Sequence, residues 1–444
     1  MNEDQVTLII SDLHVGGGTA DPGDDHVFHR QQFVEFLRTQ ARSPEGRSGR
    51  LELFINGDFL EFAQTNTTAF SLLSDDCWCT EDESMAKLQT IVLGHPQIFQ
   101  GLADFQASGN VVTLAAGNHD VDLYWPRVQA LLRKVAGANL RFEIGQEWVE
   151  RYGGLLQIGH GHMSDVANRF ENWARPIVTK HWGVECLEMC PGTLFMVKFV
   201  NHLEAQYPFA DNLLPVTKLA FVLLRESKRS FAAVGWMFTR FVATTSGTVL
   251  SVEGDDFGNQ LLNDVQNTRE RRERLEEILS QFGRLEDADS LAARSWSEER
   301  LADVMIFLLG RIENSTWDML FTPQESVDLG ADEVTLSAIA KANFANGKLQ
   351  LREVARKRAR LKGAAVVVMG HTHQEDTDEW DDRKYFNPGS WTRYLELDEH
   401  SRVTLDQLRD ESKYPYALNY VRVERCGDSL QSKMINIDRD DGKS

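Results

Sequence analysis

Val6-Thr7-Leu8-Ile9-Ile10-Ser11-Asp12-Leu13-His14 is a short apolar run, hence a buried strand, that ends in Asp-x-His. The same arrangement recurs along the chain. Residues 51–55 lead into Gly57-Asp58, and 110–116 into Gly117-Asn118-His119-Asp120. Residues 155–158 lead into His160-Gly161-His162, and 364–369 into Gly370-His371-Thr372-His373. Six of the 12 histidines fall in these motifs. A strand that ends in a loop holds its side chains at the carboxyl edge of a sheet, where open α/β folds bind ligands. Two divalent metals need about seven or eight carboxylate, imidazole and amide ligands, and these loops carry that number.

The bulk properties narrow the field. At 444 residues the chain can bury a large core in one or two domains. Its 42% hydrophobic and 26% charged residues are those of a soluble globular protein. The net charge of -20, from 47 basic and 67 acidic residues, argues against non-specific nucleic-acid binding, which relies on Lys and Arg. It suits small substrates, with bound metals reversing the sign locally. No apolar run reaches about 18 residues, so no membrane span is expected. Met1-Asn2-Glu3-Asp4 lacks the layout of a signal peptide. Cys77, Cys79, Cys186, Cys190 and Cys426 are expected as reduced thiols of a cytoplasmic protein. The spacings Cys77-x-Cys79 and Cys186-x3-Cys190 are unusual for a four-sulfur zinc site.

The pattern along residues 1–165 alternates strand and helix. An amphipathic helix is expected over 26–41, carrying Phe28, Phe33, Phe36 and Leu37. Residues 42–50 read as a polar loop, and 83–107 as a helix interrupted at Pro96. A short helix is expected over 126–135, with strands at 141–144, 147–151 and 155–158. Strand character returns at 364–369, 385–386, 392–397 and 417–423, and the polar tail after Cys426 is expected to fray. Between them, Leu275, Ile278, Leu279 and Phe282, then Leu301, Val304 and Leu308, show helical spacing.

With these five blocks the sequence resembles the calcineurin-like metallophosphoesterase superfamily, whose pattern runs D-x-H, G-D, G-N-H-[D/E], H and G-H-x-H. The resemblance spans about residues 5–165 and 362–425. It implies an α/β fold, a four-layer α/β/β/α sandwich with a large, mostly helical insertion. The division is 1–165 and 362–425 for the two parts of the metallophosphoesterase domain, 166–361 for an insertion acting as cap or interaction domain, and 426–444 for the tail. It further implies that Asp12, His14 and His373 hold one metal, that Asp58 bridges to a second about 3.5–4 Å away, and that Asn118, His160 and His371 complete the second site. His119 faces the phosphate, stabilising its oxygens or protonating the leaving oxygen, with Asp120 as orienting partner. A water bridging the metals, its pKa lowered, attacks phosphorus in line. Mn²⁺ is the first expectation for two divalent ions with oxygen and imidazole ligands, with Zn²⁺ or Fe as alternatives.

Either histidine of His160-Gly161-His162 could be the ligand; His160 is preferred because it directly follows the strand. His162 is then a substrate contact or a support for the ligands, with Asp165 a further substrate contact. Asn387-Pro388-Gly389-Ser390 resembles the family's N-P-G-S turn, with a role in backbone geometry. His26, His29, His95, His181, His202 and His400 stand in no motif.

Asp12-Leu13-His14, Gly57-Asp58-Phe59-Leu60-Glu61 and His160-Gly161-His162 also resemble UDP-2,3-diacylglucosamine pyrophosphatases, although Gly-Asn-His-Asp stands where that subfamily has Gly-Asn-Arg-Asp. The substrate this implies is phosphorylated and nucleotide- or lipid-linked. The apolar stretches 193–202, 216–224 and 231–242 could line a lipid groove, touch a membrane surface or form a helical core. A nuclease would use the basic helix with Arg352, Arg356, Lys357, Arg358, Arg360 and Lys362, yet Glu375, Asp376, Asp378, Glu379, Asp381 and Asp382 crowd the segment after His373. A metal-bound scaffold whose insertion binds a protein partner is the non-enzymatic alternative.

Overall fold

The computed structural model describes residues 5–18, 30–67, 79–165, 168–179, 183–190, 192–193, 196–204, 206–214, 219, 222–223, 336–396 and 403–438. Cys77, the histidines at 26, 29, 181 and 400, and the helical stretches expected at 231–242, 275–282 and 301–308 lie outside them.

Four strands, β1 (Val6–Ile10), β2 (Leu51–Asn56), β3 (Val111–Ala115) and β4 (Arg141–Glu143), pair in parallel in sequence order. Parallel neighbours need crossovers. These contain the helices α1 (Arg30–Arg42), α2 (Glu81–Gly94), α3 (Pro96–Ala107) and α4 (Pro126–Ala136). Thr80 caps α2 by accepting from the Glu83 amide, and the acidic residues Glu81, Asp82 and Glu83 sit at its positive end. Pro96 opens a new helix after a break at His95, because a proline costs nothing at a first turn.

A second sheet begins with β5 (Val149–Arg151) and β6 (Leu156–Ile158). The hairpin β7 (Ile177–Thr179) and β8 (Glu185–Leu187) and the two-residue β9 (Leu213–Leu214) follow. After helix α5 (Leu336–Lys362) the chain returns with β10 (Val366–Val368), β11 (Asp376–Trp380) and β12 (Arg383–Asn387). The second sheet has the order β11-β12-β10-β6-β5, with β6, β10 and β12 parallel. Then β13 (Leu395–Glu396) pairs with β9, and β14 (Asn419–Cys426) with β15 (Ser429–Asn436) extends the first sheet to β15-β14-β1-β2-β3-β4.

Side-chain alternation sorts the core. Val6, Leu8 and Ile10 of β1 face Phe33, Phe36, Leu102 and Phe105 of the helices. Ile9 points the other way, into a cluster with Phe54, Leu156, Ile158, Val366, Val368, Val421 and Val423 from the two sheets. The far side of the second sheet, with Val367 and Tyr385, meets Leu351, Ala355 and Ala359 of α5. Each large side chain so buried contributes roughly 1.5–3 kcal/mol, enough to fix both sheets and hence the loops at their edges.

One expectation is corrected. Of the residues after Cys426, those as far as Asn436 do not fray. They form β15, joined to β14 by the two-residue turn Gly427-Asp428, where glycine takes φ +63°. Leu430 and Met434 pack on the inter-sheet core, which a tail read only as polar would not. The described residues of 166–361 include helix, chiefly within α5, and strand as well. They include β7, β8 and β9, and Asn201 donates to the Ala63 carbonyl at 3.1 Å. Among the described residues, no helix is long and apolar enough to cross a membrane.

Candidate metal centre

The ends of β1, β2 and β3 in one sheet and of β6 and β10 in the other converge at one edge. Backbone hydrogen bonds lock their loops together. Leu13 and Val15 donate to Asp58 and Phe59, each at 2.9 Å, and Gly370 donates to His160 at 2.9 Å. Asp12, His14, Asp58, His371 and His373 all adopt positive φ, from +47° to +72°. Such a backbone costs about 1–3 kcal/mol per residue and persists where the surroundings over-determine it. Here it turns each side chain back across its strand end.

Two glycines are fixed by close approach. A Cβ on Gly117 would stand 2.1 Å from Asp58 Oδ1, and one on Gly370 would stand 2.7 Å from Asp12 Oδ2. The Asn387 amide ties the last loop to the site, donating to Gly370 O at 2.9 Å and to Thr372 Oγ1 at 3.0 Å. Ser390 Oγ donates to Asp12 O at 2.7 Å.

The side chains form overlapping groups. Asp12, His14, Asp58 and His373 offer ligand atoms all within 4.8 Å of one another, and so do Asp58, His160 and His371. Asp58 belongs to both. The donors are carboxylate oxygens and imidazole nitrogens, a set that fits divalent first-row metals. His160 Nδ1 lies 2.7 Å from the Asn56 carbonyl and donates to it, leaving Nε2, 3.0 Å from Asp58 Oδ2, to face the group. Asn118 Oδ1 is buried without a hydrogen-bond partner among the described residues, a lone pair suited to a cation. Six of the seven expected ligands thus enter these groups, and Asn118 stands beside them with its amide nitrogen 3.4 Å from Asn168 Oδ1.

Of His160 and His162, His160 enters a ligand group and His162 does not. His162 is 2% exposed, and neither ring nitrogen has a partner among the described residues. Trp173 stands edge-on at 4.3 Å and Phe170 at 5.9 Å. Burial, then the neighbouring His160 and His371, holds its pKa well below the usual histidine range, so the ring is neutral. A ring so enclosed does not fit the role of substrate contact.

His119 stands at the rim, and its orienting partner is corrected. Glu61 Oε2 lies 2.7 Å from His119 Nδ1, off the line of a hydrogen bond, and accepts from His14 Nδ1 at 2.8 Å. Asp120 instead accepts from the backbone amides of Gly117 at 2.6 Å and Phe59 at 2.8 Å, clasping two loops. Burial and the nearby Asp58 push Asp120 up to about 7. Neighbouring side chains of an extended chain tend to diverge, whereas Glu61 reaches across from the adjacent loop. Burial opposes a charge on His119, but Glu61 and Asp58 outweigh it and raise the pKa to about 10. Glu61 was not among the expected site residues; its spacing in Gly57-Asp58-Phe59-Leu60-Glu61 was the available signal.

Asp165 Oδ2 lies 3.1 Å from His371 Nε2 and accepts from Asn168 Nδ2 at 2.7 Å, so it touches a ligand candidate while its side chain stays 33% exposed. The cysteines form no metal-holding group among the described residues. The basic helix is largely committed as well. Arg352 pairs with Asp376, Arg356 with Asp378 at 2.8 Å, and Lys362 with Glu150 at 3.1 Å.

The family model described as the calcineurin-like phosphoesterase superfamily domain matches residues 287–410, which include the Gly370-His371-Thr372-His373 loop. No curated protein matches the chain significantly in sequence. Among solved structures, one of phosphopantetheinyl hydrolase from Mycobacterium tuberculosis aligns over 94% of this chain and 95% of that one, at 11% identity and a TM-score of 0.25. That score is too low to relate the two folds.

Proposed function

We propose that this chain, whose residues 287–410 match the model of the calcineurin-like phosphoesterase superfamily domain, is a dinuclear metal-dependent hydrolase of a phosphodiester or pyrophosphate. The observation that carries this reading is Asp58, shared by two ligand groups whose atoms lie within 4.8 Å of one another. A carboxylate so placed can give one oxygen to each of two cations and offset their repulsion. Asp12, His14 and His373 would complete one site, and Asn118, His160 and His371 the other. Two divalent cations, Mn²⁺ being the first to test, would supply Lewis acidity toward the phosphate and an activated water.

The chain's own groups do the rest. Glu61 accepts from His14 Nδ1, which turns Nε2 toward the first group. The same carboxylate, 2.7 Å from His119 Nδ1, favours a charged ring by its own charge, and Nε2 would then stabilise a phosphate oxygen or protonate the leaving oxygen. The packing of helices on the first sheet, of the two sheets on each other and of α5 on the second sheet supports reading the fold as a four-layer α/β/β/α sandwich. Within the class we favour a small or lipid-linked nucleotide over DNA. The ion pairs of Arg352 and Arg356 leave α5 little free charge for a phosphate backbone. The Gly57-Asp58-x-x-Glu61 and His160-Gly161 segments support the pyrophosphatase-like end of that range. The small number of cysteines, five in 444 residues, fits a reducing, cytoplasmic setting.

The test is hydrolysis of bis-p-nitrophenyl phosphate and p-nitrophenyl phosphate by Mn²⁺-loaded protein, with His119→Ala as control. Diester cleavage that the variant loses is the expected result. Two bound metals with neither compound cleaved, here or with nucleotide diphosphate esters, would refute the hydrolase.

A further inference from the structure

Asp165 and Asn168 lie just beyond the second ligand group and touch two of its members. We infer that this pair sets the polarity of the second metal site, presenting the oxygen of Asn118 and the Nδ1 lone pair of His371 to the cation. The inference rests on the two-metal reading and names residues that act on it.

The argument runs on donors and acceptors alone. An ionised carboxylate only accepts hydrogen bonds. Asn168 must therefore turn its amide nitrogen to Asp165 Oδ2, where it lies at 2.7 Å. Its oxygen is then committed to the opposite end, 3.4 Å from the Asn118 amide nitrogen. That oxygen accepts only, so Asn118 turns its own nitrogen toward Asn168. The Asn118 oxygen is left over, buried and without a hydrogen-bond partner among the described residues. An asparagine facing the other way would aim an N–H at a cation and could not bind it.

The same carboxylate oxygen lies 3.1 Å from His371 Nε2. Accepting a proton there fixes the tautomer, so the lone pair of His371 sits on Nδ1. One carboxylate thus orients an amide through Asn168 and an imidazole directly. Asp165 and Asn168 are positioning residues and need not touch substrate. The Asn168 amide also donates to the Asp165 carbonyl at 3.1 Å, which ties the two residues together.

The experiment titrates the chelated full-length protein with Mn²⁺. It reads each site's affinity by calorimetry and the spin-coupled pair by electron paramagnetic resonance. Asn168→Leu keeps shape but loses both hydrogen bonds. It should weaken the second Mn²⁺ by about 10–100-fold, leave the first unchanged and abolish the coupled signal at metal levels that saturate the wild type. The melting temperature of the chelated variant should match the wild type, which a packing role would not allow. Asp165→Ala should behave alike, and serves if Asn168→Leu fails to fold. Asp165→Asn keeps the shape, but the one amide atom that faces both Asn168 and His371 cannot accept from both and orient Asn118 as before, so it should weaken the second site alike. Wild-type affinity at both sites in Asn168→Leu and Asp165→Ala would overturn the inference alone. A wild type that binds fewer than two Mn²⁺ would overturn it together with the two-metal reading.

Discussion

Glu61 places one carboxylate oxygen 2.8 Å from His14 Nδ1 and 2.7 Å from His119 Nδ1. It joins a candidate metal ligand to the candidate acid through a single fully buried group. Glu61→Gln keeps the shape but loses the charge. We expect kcat on a p-nitrophenyl diester to fall by about 10–100-fold with KM little changed. An unchanged kcat would remove Glu61 from the reaction.

His119→Ala and Asp58→Asn separate chemistry from metal binding. His119→Ala should lower kcat by about 10²–10⁴-fold while metal content, measured by elemental analysis, stays intact. Asp58→Asn should lose both, because Asp58 stands in both ligand groups. Metal loss in His119→Ala would mean that this histidine is a ligand.

The first strand and its Asp-x-His were legible because a buried parallel strand is an unbroken apolar run, and β1, β2 and β10 all read so. Asp376-Thr377-Asp378-Glu379-Trp380 did not read as a strand, yet it forms β11. Its acids are stabilised by Arg352 and Arg356, which a local window cannot see. The same limit explains the site. Ligand types and loop order are local, so six of the seven expected ligands enter the groups that the structure assembles. Asp120 was given to His119 by adjacency, while Glu61 and Asn168 act through partners 58 and 50 positions away, a link that spacing does not encode.

Gly117→Ala tests the close approach in the third loop. The added carbon would meet Asp58 Oδ1 at 2.1 Å, and backbone on one side leaves no room to yield. Metal binding should fall at least as far as in Asp58→Asn, with the fold retained by circular dichroism. Full metal content would show that the loop can shift.

The His119 pKa gives a pH test on chelated protein. Its folded value of about 10 stands above the ordinary 6.5, so the stability it contributes is fully present below about pH 6.5 and is lost as pH rises through 10. The wild-type melting temperature should fall across that window, and less steeply in His119→Ala. Parallel curves would contradict the charge we assign to the ring. Bound cations oppose a second positive charge nearby, so loading with Mn²⁺ should shift the decline to lower pH.

The parallel pairing of β6 with β10 brings Ile158 beside Val368. On the ribosome, the roughly 200 residues between them take about 10–40 s to emerge at about 5–20 residues per second. Through that interval the nascent second sheet lacks its middle strand, and β6 presents an unsatisfied edge. The loops bearing Asp12, Asp58, Asn118 and His160 can be in place while the last two histidines are still untranslated. The candidate metal site is therefore completed late in the protein's birth, and a truncated chain should hold at most a part of it.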